Sequence, residues 1–200
     1  MEKKLLDDNE IGLDEAGRGP LIGRVYAGAV IWGDKDCDLI NDSKKLSQKK
    51  RKIALEWIKN NVVAFGVGFI DASEIDEINI LEATKKAMDN AIIDLKDKLN
   101  NNFIIKNLII DGIGWEKKFN NYNVKSIIKG DSKYYSIAAA SIIAKEYHDD
   151  YIIDLCEKYP DLVNKYDLLN NKGYGTKKHL EGIEKYGISQ FHRKSFKRCY

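Results

Sequence analysis

The stretch IGLDEAGRGPLIGRVYAGAVIW, Ile11 to Trp32, decides the architecture. It opens on a short apolar run interrupted by Asp14 and Glu15. Gly17, Gly19 and Pro20 then punctuate the chain, and Val25 to Trp32 is strand-like again. Two extended runs joined by turn residues predict a β-hairpin. Asp14 and Glu15 are adjacent, and adjacent side chains point to opposite faces of a strand, so one of them has to face a buried layer or a cleft.

Outward from this hairpin, Ser47 opens a helical pattern whose apolar face is Ile53, Leu55, Trp57 and Ile58, and Val62 to Ile70 returns to strand. Ser73 begins another helix, with Glu74 in its first turn. Leu81, Met88, Ile92 and Leu95 recur at helical spacing in a long amphipathic segment from Ile80 to Leu99. Asn107 to Asp111 and Val124 to Ile128 are short enough to be buried strands. Tyr135 to Tyr159 predicts a second long helix closed by Pro160; a Gly173-Tyr174-Gly175 loop and a basic, helical tail follow. Strands that come first as a hairpin and later alternate with helices predict an α/β fold with a mixed sheet.

The chain has 200 residues, 44% of them hydrophobic, enough for one sizeable core and consistent with one domain over residues 1–200. Lys and Arg number 33 against 31 Asp and Glu, so the net charge is only +2, but the charge is unevenly placed. Ser43 to Lys52 carries six positive charges and no negative one, and Asn171 to Tyr200 carries eight against two. Such basic segments suit a polyanion. Three cysteines, Cys37, Cys156 and Cys199, without a CxxC pair make neither a disulfide framework nor a zinc knuckle. The charged N-terminus and the lack of an apolar run of 18 residues predict a cytoplasmic protein with no membrane contact. Nothing in the sequence calls for more than a monomer or for an obligatory protein partner.

The acidic residues are the informative ones. Asp111 ends the run Leu108-Ile109-Ile110, and Asp131 follows Ile127-Ile128-Lys129-Gly130, so both lie at or just past predicted strand ends, where α/β proteins build sites. Two carboxylates about 4 Å apart repel by a few kcal/mol at an effective dielectric near 20. A cluster of Asp14, Glu15, Asp111 and Asp131 therefore needs cations, and all-oxygen ligands without Cys or His at ligand spacing select Mg²⁺ or Mn²⁺ over zinc. Taken singly, each acid also suits a turn or a helix cap.

These residues carry a family resemblance. Gly12 to Pro20 (GLDEAGRGP) resembles the signature opening of the type 2 ribonucleases H, and Asp42 to Ser47 (DSKKLS) their next block. Asn79-Ile80-Leu81, Asp111-Gly112, Lys129-Gly130-Asp131, Ser136 to Lys145 (SIAAASIIAK), Lys172 to Thr176 with His179, and His192-Arg193 with Ser195-Phe196 continue in family order. Within the family the chain is most similar to the ribonuclease HII branch. Ribonuclease HIII is the alternative, and the GRG segment and the short lead before the first strand speak against it.

The resemblance implies a ribonuclease H-like fold, a mixed five-stranded sheet flanked by helices, with residues from about 160 to 200 as a substrate-contacting helical extension. It implies Asp14, Glu15, Asp111 and Asp131 as catalytic carboxylates holding two divalent cations. The implied reaction is hydrolysis of the RNA strand of RNA/DNA hybrids and incision 5′ of a ribonucleotide embedded in duplex DNA, leaving 3′-hydroxyl and 5′-phosphate ends, in ribonucleotide removal and primer processing. Gly17, Arg18, Gly19 and Tyr174 match the segment that reads the ribose 2′-hydroxyl, the group that separates RNA from DNA at one nucleotide. Ser43, Lys44 and Lys45 match the phosphate-contacting block, with Asn79 and Lys129 as further candidates; Arg193, Lys197 and Arg198 would extend that grip.

Other classes fit less well. Gly17-Arg18-Gly19 lacks the third glycine of a dinucleotide fingerprint, and no GK[ST] follows a glycine-rich loop. A non-catalytic nucleic-acid binder has no use for four carboxylates at strand ends. His148, His179 and His192 are read as packing or hydrogen-bonding residues, because two-metal hydrolysis needs no histidine. His148 stands where the family usually has Arg before Asp149, which removes a salt bridge expected there.

Overall fold

Strands β1 (Ile11–Ala16) and β2 (Val25–Ile31) pair antiparallel, Gly12 opposite Val30 and Ala16 opposite Tyr26, as the hairpin reading requires. The computed structural model describes residues 1–41, 43–99 and 103–199, without the side chain of Lys44. β3 (Ala64–Ile70) adds antiparallel to β2, while β4 (Asn107–Asp111) and β5 (Asn123–Ile127) add in parallel on the other side of β1. The sheet has five strands in the order β3-β2-β1-β4-β5. This is the mixed sheet expected.

Helices α1 (Gln48–Asn61), α2 (Ala72–Ile78), α3 (Ile80–Lys96) and α4 (Tyr135–Lys158) cover it. Val25, Ala27, Ala29 and Ile31 of β2 pack with Ala87, Met88, Ala91 and Leu95 of α3. Val30 points the other way, into a cluster with Ala54 and Ile58 of α1 and Ala139, Ala140 and Ile143 of α4. β2 is buried on both faces, and so it reads as a continuous apolar run rather than an alternating one. α4 is buried on every side from Tyr135 to Ala144, which its Ser-Ile-Ala-Ala-Ala-Ser composition allows. A Cβ on Gly28 would run into the Ala140 carbonyl, so glycine is what lets α4 lie directly on β2.

The remaining helices are α5 (Asp161–Tyr166), α6 (Leu168–Asn171) and α7 (Lys177–Tyr186). The helical tail ends earlier than the sequence predicts. Gly187, at φ +74°, stops α7, and the chain beyond it docks by backbone pairing instead: Gly23 N–H donates to Phe191 O and Arg193 N–H to Leu21 O. Other boundaries shift as well. Val62 N–H still closes α1 on Ile58 O, so β3 starts at Ala64, and the long helix stops at Lys96. Cys37, Cys156 and Cys199 are free and buried, and no described helix is long and apolar enough to cross a membrane.

Candidate active site

β1 and β4 run in parallel side by side, and the acids at their C-terminal ends meet there. Asp14 faces α4, where it is 5% exposed and hydrogen-bonded to the Ser141 hydroxyl. Its Oδ1 also accepts from Glu15 N–H at 2.7 Å. Asp111 closes β4, and its Oδ1 accepts from Gly130 N–H at 2.7 Å. Glu15 points to the other face of β1, yet with the strand ending one residue later it borders the same cavity as Asp14. Its Oε1 pairs with Arg18 Nη1 at 3.2 Å. The backbone then turns through Gly17 at φ +87°, a conformation suited to glycine.

The cavity, about 280 Å³, is lined by Asp14, Glu15, Asp111, the Gly17-Arg18-Gly19 loop, Ser43, Arg51, Ser141, Lys145 and Tyr174. A second, of about 610 Å³, lies on the α3 side; it shares Glu15, Arg18 and Asp111 and adds Leu81, Ile113, Trp115 and Lys118. Of the four expected carboxylates three thus come together. Asp131 is buried in a 3-10 turn after β5 (Gly130–Ser132) and borders neither cavity. Among the described residues no three His, Cys, Asp or Glu side chains already stand as a ligand set.

The electrostatics favour a cation nevertheless. Burial, then Glu15, then Asp111 push the Asp14 carboxyl well above its ordinary range, against the Ser141 hydroxyl and the Glu15 N–H. Burial also raises Glu15, which Arg18 opposes. Two desolvated carboxylates, Asp14 and Glu15, each pushed up in part by the neighbouring Asp111, fit a hard divalent ion of the Mg²⁺ or Mn²⁺ type.

The expected substrate contacts fall into two groups. Arg18 and Gly19 are exposed and Tyr174 is 41% exposed, all on the cavity rim. Ser43 is buried, its Oγ 2.9 Å from Ser141 Oγ. Lys45 is exposed, and the Lys44 side chain lies outside the described residues. Asn79 and Lys129 line neither cavity. Asn79 caps α3, its Oδ1 accepting from the N–H of Leu81 and Glu82. Lys129, at φ +55°, enters the turn of Asp131.

Sequence reasoning missed two cavity cations. Arg51 is held by Glu146 and Asp149 of α4, and Lys145 Nζ sits 2.8 Å from Asp149 Oδ1 and 5.9 Å from the Tyr174 ring. Asp149 thus pairs with Arg51 and Lys145 as well as with His148 Nδ1 at 3.1 Å, so the missing Arg at 148 leaves it well partnered. Arg193 corrects another expectation. It is fully buried and contacts backbone carbonyls, so it is not available to a phosphate, and burial lowers its pKa to about 10.

The strand order β3-β2-β1-β4-β5, with acids at the ends of β1 and β4, defines a protein of the ribonuclease H fold. Residues 11–199 match the family model described as Ribonuclease HII. A ribonuclease HII of Rickettsia akari is 47% identical over all of this chain and 96% of its own length, and one of Caldanaerobacter subterraneus is 45% identical over 98% of this chain and 78% of its own. Among solved structures, a ribonuclease HII of Archaeoglobus fulgidus in complex with PCNA superposes with a TM-score of 0.74 at 27% identity, over 94% of this chain and 95% of that one. The chain belongs to the ribonuclease HII family and is an endonuclease of the ribonuclease H type.

Proposed function

We propose that this protein hydrolyses the RNA strand of RNA/DNA hybrids and incises duplex DNA 5′ of an embedded ribonucleotide, leaving 3′-hydroxyl and 5′-phosphate ends. The observation that carries this reading is the burial of Asp14 beside Glu15 and Asp111, in a cavity whose rim holds Arg18, Gly19 and Tyr174. Asp14, Glu15 and Asp111, with Asp131 as the fourth member from the adjoining turn, would hold two divalent cations, Mg²⁺ or Mn²⁺. Such ions, when bound, lower the pKa of a water and stabilise the charge that develops on the leaving 3′ oxygen.

The chain's own groups do the rest. Ser141 and Glu15 N–H orient the Asp14 carboxylate, and Gly130 N–H orients Asp111. Arg51 and Lys145 bring positive charge to the same wall, where it attracts the scissile phosphate. Gly17, Arg18 and Gly19 let backbone approach the ribose, and Tyr174 offers a ring to the sugar. Ser43, Lys44, Lys45, Asn79 and Lys129 grip the phosphate backbone, and residues 160–200 extend the contact within a single catalytic domain. The biological setting is removal of ribonucleotides from DNA and primer processing.

The test is cleavage of duplex DNA containing one ribonucleotide, with product ends mapped, comparing wild type with Asp14→Asn and Tyr174→Ala. We expect a cut on the 5′ side of the ribonucleotide, abolished in Asp14→Asn and impaired in Tyr174→Ala. Full activity of Asp14→Asn contradicts the reading.

A further inference from the structure

Among the described residues Arg193 is the largest fully buried side chain, and its guanidinium faces main chain. Nε donates to Gly23 O at 2.9 Å, Nη1 to Arg18 O at 3.1 Å and Pro20 O at 2.8 Å, and Nη2 to Gly17 O at 2.7 Å and Arg24 O at 2.9 Å. A guanidinium has five N–H groups in a rigid fork, and here five carbonyls of a single loop accept from them. The loop they shape is Gly17-Arg18-Gly19 with its return into β2.

His192, the preceding residue, acts on the other side. Its Nδ1 accepts from Ser189 N–H at 2.9 Å, which puts the ring proton on Nε2. That Nε2 lies 3.1 Å from His179 Nε2, which must then accept, leaving the His179 proton on Nδ1 to be donated to Tyr174 O at 3.0 Å. One hydrogen-bond order satisfies both neutral rings and ends on the backbone of Tyr174. The loops are also joined directly, since Leu21 N–H donates to Gly173 O, and a Cβ on Gly19 would stand 3.1 Å from Tyr174 Cε1.

We propose that His192 and Arg193 form a clamp that sets the Gly17-Arg18-Gly19 loop against Tyr174, making them positioning residues for recognition of the RNA-to-DNA junction. The placement of the loops stands on these contacts alone; the link to the junction rests on the function proposed above. Arg193 fixes one jaw through its carbonyls, and His192 fixes the other through His179. A lysine at 193 has only three donors on a flexible stem and cannot satisfy five carbonyls.

The test uses Arg193→Lys and, as an independent route to the other jaw, His179→Leu, each checked for folding by thermal unfolding. Amide ¹H–¹⁵N shifts of Gly17, Gly19 and Tyr174 are compared with wild type. Single-turnover cleavage is then measured on duplex DNA with one ribonucleotide and on a continuous RNA/DNA hybrid. We expect the Gly17 and Gly19 amides to move in Arg193→Lys and the Tyr174 amide in His179→Leu. The ratio of single-ribonucleotide to hybrid cleavage should fall at least tenfold in both. Unmoved amides in a folded variant, or an equal loss on both substrates, overturn the clamp. Should wild type cleave neither substrate, the function reading fails while the amide shifts still decide the placement of the loops.

Discussion

The amide of Gly130 donates to the Asp111 carboxylate at 2.7 Å, tying the end of β4 to the turn that carries Asp131. One carboxylate therefore both contributes charge to the cavity and holds the neighbouring turn. The two roles separate by mutation. Asp111→Asn keeps an acceptor oxygen for Gly130 and loses the charge, so cleavage should fall at least about 100-fold, the scale of removing one key electrostatic group. Asp111→Ala should lose cleavage and, in addition, about 1–2 kcal/mol of stability from the unmade hydrogen bond. Rate assays and urea unfolding of both variants check this; equal stability of the two would show that the Gly130 contact holds nothing.

The buried histidine pair predicts acid lability. Burial, helped by His179, lowers the His192 pKa to about 4, and burial lowers His179 as well. Between the unfolded value of about 6.5 and about 4, the unfolded state binds more protons than the folded one, so stability falls as pH is lowered through that window. The loss from His192 alone is on the order of 3 kcal/mol at its foot. Urea unfolding at pH 7 and pH 4.5 should show this, and His192→Gln should flatten the profile; an equally steep profile in that variant contradicts the assignment.

Arg51 reaches from α1 to two acids of α4, and Glu146 and Asp149 are almost fully buried. Burial outweighs Arg51 at Glu146, whose carboxyl is raised and whose Oε2 has no hydrogen-bond partner among the described residues, whereas His148 and Lys145 keep Asp149 low. Arg51→Ala strands Glu146, while Asp149 keeps Lys145 and His148, and breaking such a pair from one side costs about 3–5 kcal/mol. Chemical denaturation measures it, and a loss below about 1 kcal/mol would mean that the pairs are solvated.

Binding should depend on salt. If several phosphates are gripped, raising salt from 50 to 200 mM weakens binding of a duplex with one ribonucleotide by an order of magnitude or more. Fluorescence anisotropy with catalysis blocked by Asp14→Asn reads this directly, and a flat response removes the phosphate grip.

Much of this architecture is legible in the residues. The hairpin follows from punctuation at Gly17 to Pro20, α3 from the spacing of Leu81, Met88, Ile92 and Leu95, and the convergence of Asp14, Glu15 and Asp111 from their places at strand ends. The rest depends on tertiary burial, which composition does not reveal. Arg193 reads as one more charge in a basic tail until the loop it caps is folded around it. Asn79 also caps the start of α3 through its side-chain carbonyl, a duty that its place in a family block does not reveal. Arg51 lies in a basic run that reads as a segment for a polyanion, yet its acidic partners are 95 and 98 residues further on.

The most direct test of the central claim, that the carboxylates of β1 and β4 act only with divalent cations between them, is single-turnover cleavage of a duplex containing one ribonucleotide in excess EDTA and again after Mg²⁺ or Mn²⁺ is restored. No detectable product is expected with the chelator, and full recovery on adding the ion. Undiminished cleavage in EDTA would contradict that claim.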